Sequence, residues 1–146
     1  MANTKIKDTL VNLLQAGQEA MVPAYGISMY PLLRPGDKLL VKPIKPRIGD
    51  IAVFDREDVL VAHRVYKIID DIYLLKGDSL ILADSPVHKT KILGIVTERN
   101  RGNKVTSSRN VYFRILKHLM PKYTFILGRP FHYYARLHQK LLRSLK

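Results

Sequence analysis

Two hydrophobic textures, with different periods, divide the chain. Over residues 4–16, Ile6, Leu10, Leu13 and Leu14 recur at helical spacing, with Asn3 or Thr4 available as a cap. The pattern predicts an amphipathic helix ending near Gly17. From about residue 22 to 98 the apolar runs become short or alternating: "DKLLVKPI", "DIAVF", "VLVAHRVYKII", "IYLLKG" and "KILGIVT". Such runs predict β-strands joined by turns at Pro35-Gly36-Asp37, Arg47-Ile48-Gly49-Asp50, Asp70-Asp71 and Gly77-Asp78. Residues 100–108, "NRGNKVTSS", carry neither period and predict a polar linker. Beyond it, "NVYFRILKHLM" predicts a helix that stops before Pro121, and "PFHYYARLHQKLLRSLK" a second that opens at Pro130. On that last helix Phe131, Tyr134, His138, Leu141 and Leu145 form one stripe, and Arg136, Lys140 and Arg143 another. The expected class is α+β, mainly β: a β-rich domain over 1–99 with an N-terminal helix, a linker at 100–108, and a helical tail over 109–146.

Composition adds limits. A chain of 146 residues is one domain in size, and 47% apolar content suits a modest core. Without cysteine there is no disulfide framework, thiol catalysis or thiolate metal site. The net charge of +13 is uneven. Arg101, Lys104, Arg109, Arg114, Lys117, Lys122, Arg129, Arg136, Lys140, Arg143 and Lys146 are 11 cations in a stretch without Asp or Glu, which leaves +2 for the first 100 residues. A basic tail of this kind seeks phosphate on nucleic acid or on an anionic membrane. No apolar run approaches the roughly 18 residues that span a bilayer. Asp8, Asn12 and Gln15 interrupt the N-terminal apolar positions, so no signal-peptide core is expected there. The expected location is cytoplasmic, free or peripheral to a membrane.

Chemistry-bearing groups collect in the β region. Ser28 sits in "YGISMYPLLRPGDKLLV", ahead of the first expected strand. His63 lies inside "VLVAHRV", beside Arg64, and Asp78 and Asp84 follow in "KGDSLILADSP". A serine hydroxyl needs a neighbour to take its proton. A histidine that titrates near neutrality suits that task, and a carboxylate on its other nitrogen fixes the tautomer. Composition alone makes this a weak signal, since almost any chain contains all three residue types.

Order and spacing strengthen it. "GISMYP", "RPGDKLLV", "RIGDIAVF", "VAHRV", "KGD" and "ADSP" follow one another within about 60 residues, and the series resembles the boxes of the type I signal peptidases. The self-cleaving SOS repressors share that fold. Most bacterial members have a lysine before the Arg-Val pair. Here that residue is His63, which resembles the archaeal and endoplasmic-reticulum branch, where an Asp also stands six residues after the Gly-Asp aspartate, as Asp84 does after Asp78. The resemblance covers roughly residues 24–97. It implies a signal-peptidase-like β-rich catalytic domain with Ser28 as nucleophile, His63 as general base and Asp84 as its orienter. It further implies that Asp78 holds the site in place, that Met29 and Pro31 anchor the serine segment, and that cleavage after small residues passes through an acyl-enzyme.

Two features depart from that family. A Ser usually stands two residues before the nucleophile and helps bind the oxyanion; here the position is Gly26. Signal peptidases also carry a transmembrane helix before the serine box, where this chain has only the predicted helix over 4–16.

The remaining residues have simpler expected roles. Asp37, Asp50 and Asp78 follow glycine, as turn aspartates do. Arg64 is expected to pair with a carboxylate. His88, His118, His132 and His138 lack a metal-binding spacing, so neither metal nor cofactor is expected. The aromatic and cationic residues of the tail fit an anionic bilayer with fewer assumptions than they fit stacking on nucleic-acid bases. The leading expectation is a serine endopeptidase acting on a peptide or protein. The alternative is an inactive module on the same fold that binds a membrane surface, a partner or nucleic acid through its tail. A self-processing regulator ranks below both, because nothing before Ser28 resembles a helix-turn-helix.

Overall fold

A computed structural model describes residues 2–145. Helix α1 spans Ala2–Gln15 and ends where the pattern predicts, with Gly17 at φ +81° and the Gln18 N–H donating to the Leu13 carbonyl. A left-handed residue just past the last turn is the common glycine stop. Eight strands follow: β1 (Ala20–Pro23), β2 (Lys38–Lys42), β3 (Ile51–Arg56), β4 (Val59–Ile69), β5 (Ile72–Lys76), β6 (Val87–His88), β7 (Ile92–Arg101) and β8 (Lys104–Ser107). The chain closes with α2, Val111–Ser144, capped by the Asn110 side chain on the Tyr112 N–H. The class is α+β, mainly one antiparallel sheet with a helix at each end of the chain.

The sheet runs β1-β2-β7-β3-β4-β5-β6, with β8 also paired to β7. β7 is long enough to serve three partners: β2 on one side, and β3 then β8 on the other. Alternation along β3 builds both faces of the core. Ile51 and Val53 join a large cluster with Leu14, Leu32, Leu39 and Met120, while Ala52 and Phe54 join a smaller one with Val65, Tyr73 and Leu75. A strand buried on both faces reads as a continuous apolar run, which is how "DIAVF" reads.

Two sequence expectations are corrected. Residues 100–108 are not a linker. They complete β7, turn at Gly102 and form β8, with Arg101 opposite Lys104. The tail is also one continuous helix, not two, and both Pro121 and Pro130 lie inside it. An internal proline removes an N–H and costs about 3 kcal/mol. Packing outweighs that cost: Phe113, Leu116, Met120, Thr124, Gly128 and Ala135 form one buried face against the sheet domain. The Lys117 carbonyl, which loses its helical donor to Pro121, lies 2.3 Å from where a Cβ on Gly49 would sit. Only glycine allows so close an approach of helix and turn.

Candidate active site

Ser28 sits on the loop between β1 and β2, and neighbouring backbone fixes it from both sides. Its carbonyl accepts from the Ser79 N–H at 2.9 Å, and the Ile27 carbonyl accepts from the Ser79 hydroxyl at 2.5 Å. A Cβ on Gly77 would fall 2.6 Å from the Ser28 carbonyl, so "KGDS" has glycine where its backbone meets the serine loop. Met29 is buried, and its Sδ accepts from the Asp78 N–H at 3.4 Å. Tyr30 is fully buried, and its bond to Pro31 is cis. The Tyr30 hydroxyl meets His138 Nδ1 at 2.8 Å and accepts from Gln139 Nε2 at 3.0 Å. Helix α2 thereby braces the segment that carries Ser28.

His63 faces Ser28 from β4. Its Nε2 lies 3.1 Å from Ser28 Oγ, and its Nδ1 lies 2.5 Å from Asp84 Oδ2. The ring packs edge-on against Phe54, with centroids 6.1 Å apart. The other Asp84 oxygen takes a hydrogen bond from Arg56 Nη2. Ser28, His63 and Asp84, separated by 35 and 21 residues, thus form one continuous chain of hydrogen bonds. That linkage suits proton transfer from a hydroxyl to an imidazole held in one tautomer.

Asp78 and Arg64 lie behind this chain. Arg64 Nε and Nη2 donate to the two Asp78 oxygens at 2.8 and 2.6 Å, and Arg64 Nη1 donates to the Gly49 carbonyl at 2.8 Å. The Arg64 partner is therefore Asp78. The Asp78 carboxylate caps no turn, unlike Asp37 and Asp50, which accept from the Arg34 and Arg47 N–H groups. Asp37 also pairs with Arg101, and Asp50 with Lys117.

A groove of about 370 Å³ opens beside Ser28. Val22, Ala24, Leu60 and Ala62 give it apolar walls, and Arg56 and His63 lie along it. Gly26 lines it too. A Cβ there would meet nothing nearer than the Ser28 nitrogen at 4.0 Å. The Ser28 N–H donates to no protein acceptor among the described residues.

Sequence reasoning passed over three residues of this neighbourhood. Arg56 stands on β3, where its charge in "DREDV" resembles any strand-end cation. Ser79 is the residue after the Gly-Asp pair, and only its bonds to 27 and 28 reveal its place. Lys76 is fully buried. It donates to the Thr124 carbonyl at 2.9 Å, to Thr124 Oγ1 at 3.1 Å and to the Gly77 carbonyl at 3.2 Å. Burial pushes its ammonium below the ordinary lysine value, and the charges of Asp78 and Asp84 partly offset the shift. On the same side, burial and the Asp84 charge hold Tyr66 above the usual phenol value. Neither a scan against protein-family models nor a search of curated proteins finds a significant match to the chain.

Proposed function

We propose that the chain is a serine endopeptidase of the signal-peptidase-like type, in its histidine-base form. The observation that carries this reading is the relay itself: Ser28 Oγ to His63 Nε2 at 3.1 Å and His63 Nδ1 to Asp84 at 2.5 Å, at the edge of a groove. The ordered sequence boxes support the family assignment independently.

In this reading a peptide lies in the groove with its scissile carbonyl at Ser28. Ser28 Oγ attacks the carbonyl carbon as His63 Nε2 takes its proton. Asp84 keeps Nδ1 protonated and stabilises the imidazolium that forms. Arg56, on the far oxygen of Asp84, holds that carboxylate in line. The Ser28 N–H supplies one oxyanion donor. His63 then gives its proton to the leaving amine, and water repeats the sequence on the acyl-enzyme. The apolar groove walls suit small side chains before the cut.

One observation favours a second reading, a catalytically weak module on the same fold. Gly26 leaves the oxyanion position without a side-chain donor, and loss of one donor typically costs about 10²–10³ in rate. A fluorophosphonate probe separates the two readings. Labelling at Ser28, abolished in Ser28→Ala and His63→Ala, is the expected result, together with cleavage of peptides from an Ala-x-Ala library. An unlabelled, folded wild-type chain sinks the peptidase reading.

A further inference from the structure

Helix α2 has two exposed faces besides the one it buries. At 3.6 residues per turn, Val111, Ile115, Leu119, Ile126, Tyr133 and Leu141 fall within a wedge of about 120°. Each is between 42% and 73% exposed. Arg114, Lys122, Arg129, Arg136, Lys140 and Arg143 are exposed as well and fill a wedge of about 80° that overlaps the edge of the apolar one by about 20°, where Lys122, Arg129 and Lys140 lie. No carboxylate interrupts either face, because residues 101–146 contain none. Single exposed apolar residues are ordinary on any surface; a contiguous stripe on a helix of 34 residues marks an interaction site.

The chemistry of the two faces selects the occupant. A protein interface concentrates apolar groups and excludes charge from its core. A phosphate backbone engages the cations and gives the apolar wedge nothing to enter. A bilayer interface satisfies both, taking apolar side chains to about 5–10 Å depth while anionic headgroups meet the flanking cations. Exposed Tyr123, Tyr133 and Tyr134 carry the amphipathic rings that settle at headgroup level. Among the described residues no helix is long and apolar enough to cross a membrane.

We propose that α2 docks on an anionic bilayer, its Val111–Leu141 wedge sunk into the interface and its Arg114–Arg143 stripe on the headgroups. The proposal goes beyond the peptidase reading and stands without it. The test is sedimentation of the full chain with vesicles of phosphatidylcholine alone and of equal parts phosphatidylcholine and phosphatidylglycerol, beside a gel shift with duplex DNA. Binding to the mixed vesicles and not to the neutral ones is expected. Arg129→Gln and Arg136→Gln should each weaken it roughly fivefold. The double variant Ile126→Gln/Tyr133→Gln leaves every cation in place and should weaken it tenfold or more. Both positions are exposed, so circular dichroism and Tm should match the wild type. No binding to anionic vesicles, vesicle binding untouched by the Ile126/Tyr133 pair, or tighter binding to DNA than to vesicles overturns the proposal.

Discussion

Asp78 and Asp84 leave β5 on the same loop, six residues apart; both side chains are nearly buried and both meet an arginine, but only Asp84 also meets a histidine. The Asp78 side chain is fully buried, and Arg64, itself buried, occupies both of its oxygens. Asp84 divides its oxygens between His63, which is buried, and Arg56, whose side chain is 47% exposed. The first carboxylate is closed into a pair that can only hold shape. The second, 7% exposed, lies between a buried imidazole and a half-exposed guanidinium, the arrangement that the proposed transfer of the Ser28 proton needs. The residue type is the same in both cases; the partners set the work each can do.

The largest effects come from exchanging these conditions. Asp84→Asn preserves shape and favours the wrong imidazole tautomer, a change that typically costs about 10⁴ in kcat. The expected outcome is that loss in peptide turnover with Tm nearly unchanged. Near-normal turnover would erase the difference between the two carboxylates. Asp78→Ala leaves Arg64 buried without its counter-charge and should destabilise the fold by about 3–5 kcal/mol. Urea unfolding measures this directly. A midpoint that does not move would show that the buried pair holds nothing together.

A smaller effect sharpens the comparison from the other side of the serine. Gly26 lies on the groove with open space where a Cβ would sit, and its φ is outside the left-handed region. Gly26→Ser should therefore fold normally and offer a hydroxyl to the oxyanion, raising turnover by up to about 10². An unchanged rate in a folded variant would mean that the backbone N–H alone sets the oxyanion site.

The strand pattern made most of the sheet legible. β4 spans the whole of "VLVAHRVYKII", and β2, β3, β5 and β7 fall on their apolar runs. β1 was not legible because "AMVP" is four residues long, ends in proline and lies at the sheet edge. β8 was not because "KVTS" is mostly polar and is held by pairing with β7 rather than by burial. Proline rules split α2 in two, since local rules cannot see the close contact of Gly49 with the Lys117 carbonyl. In the site, Ser28, His63 and Asp84 carried recognisable spacing. Arg56, Ser79 and Lys76 carried none, because their roles come from distant partners: Asp84, the Ile27 and Ser28 carbonyls, and Thr124.

Lys76 gives the smallest and most specific prediction, since it feels both carboxylates. Burial lowers its ammonium value, and the opposing influences are Asp78 and then Asp84. A lysine whose value is depressed in the folded state binds fewer protons there than in the unfolded chain, so stability rises with pH across the gap. That gain is complete above the unfolded value of about 10.4 and is lost as pH falls through the lowered folded value. Lys76→Met keeps the volume and removes the titration. The wild-type stability minus that of the variant should therefore climb as pH rises through the lowered folded value towards about 10.4 and then level off. The three tyrosines with raised values, Tyr66, Tyr73 and Tyr112, titrate in both proteins and cancel in the difference. A flat difference would mean that the bonds to Thr124 and Gly77 fully offset the desolvation of the ammonium. Its link to α2 would then be an ordinary hydrogen-bonded strut rather than a buried charge under strain from both sides of the Asp78–Asp84 loop.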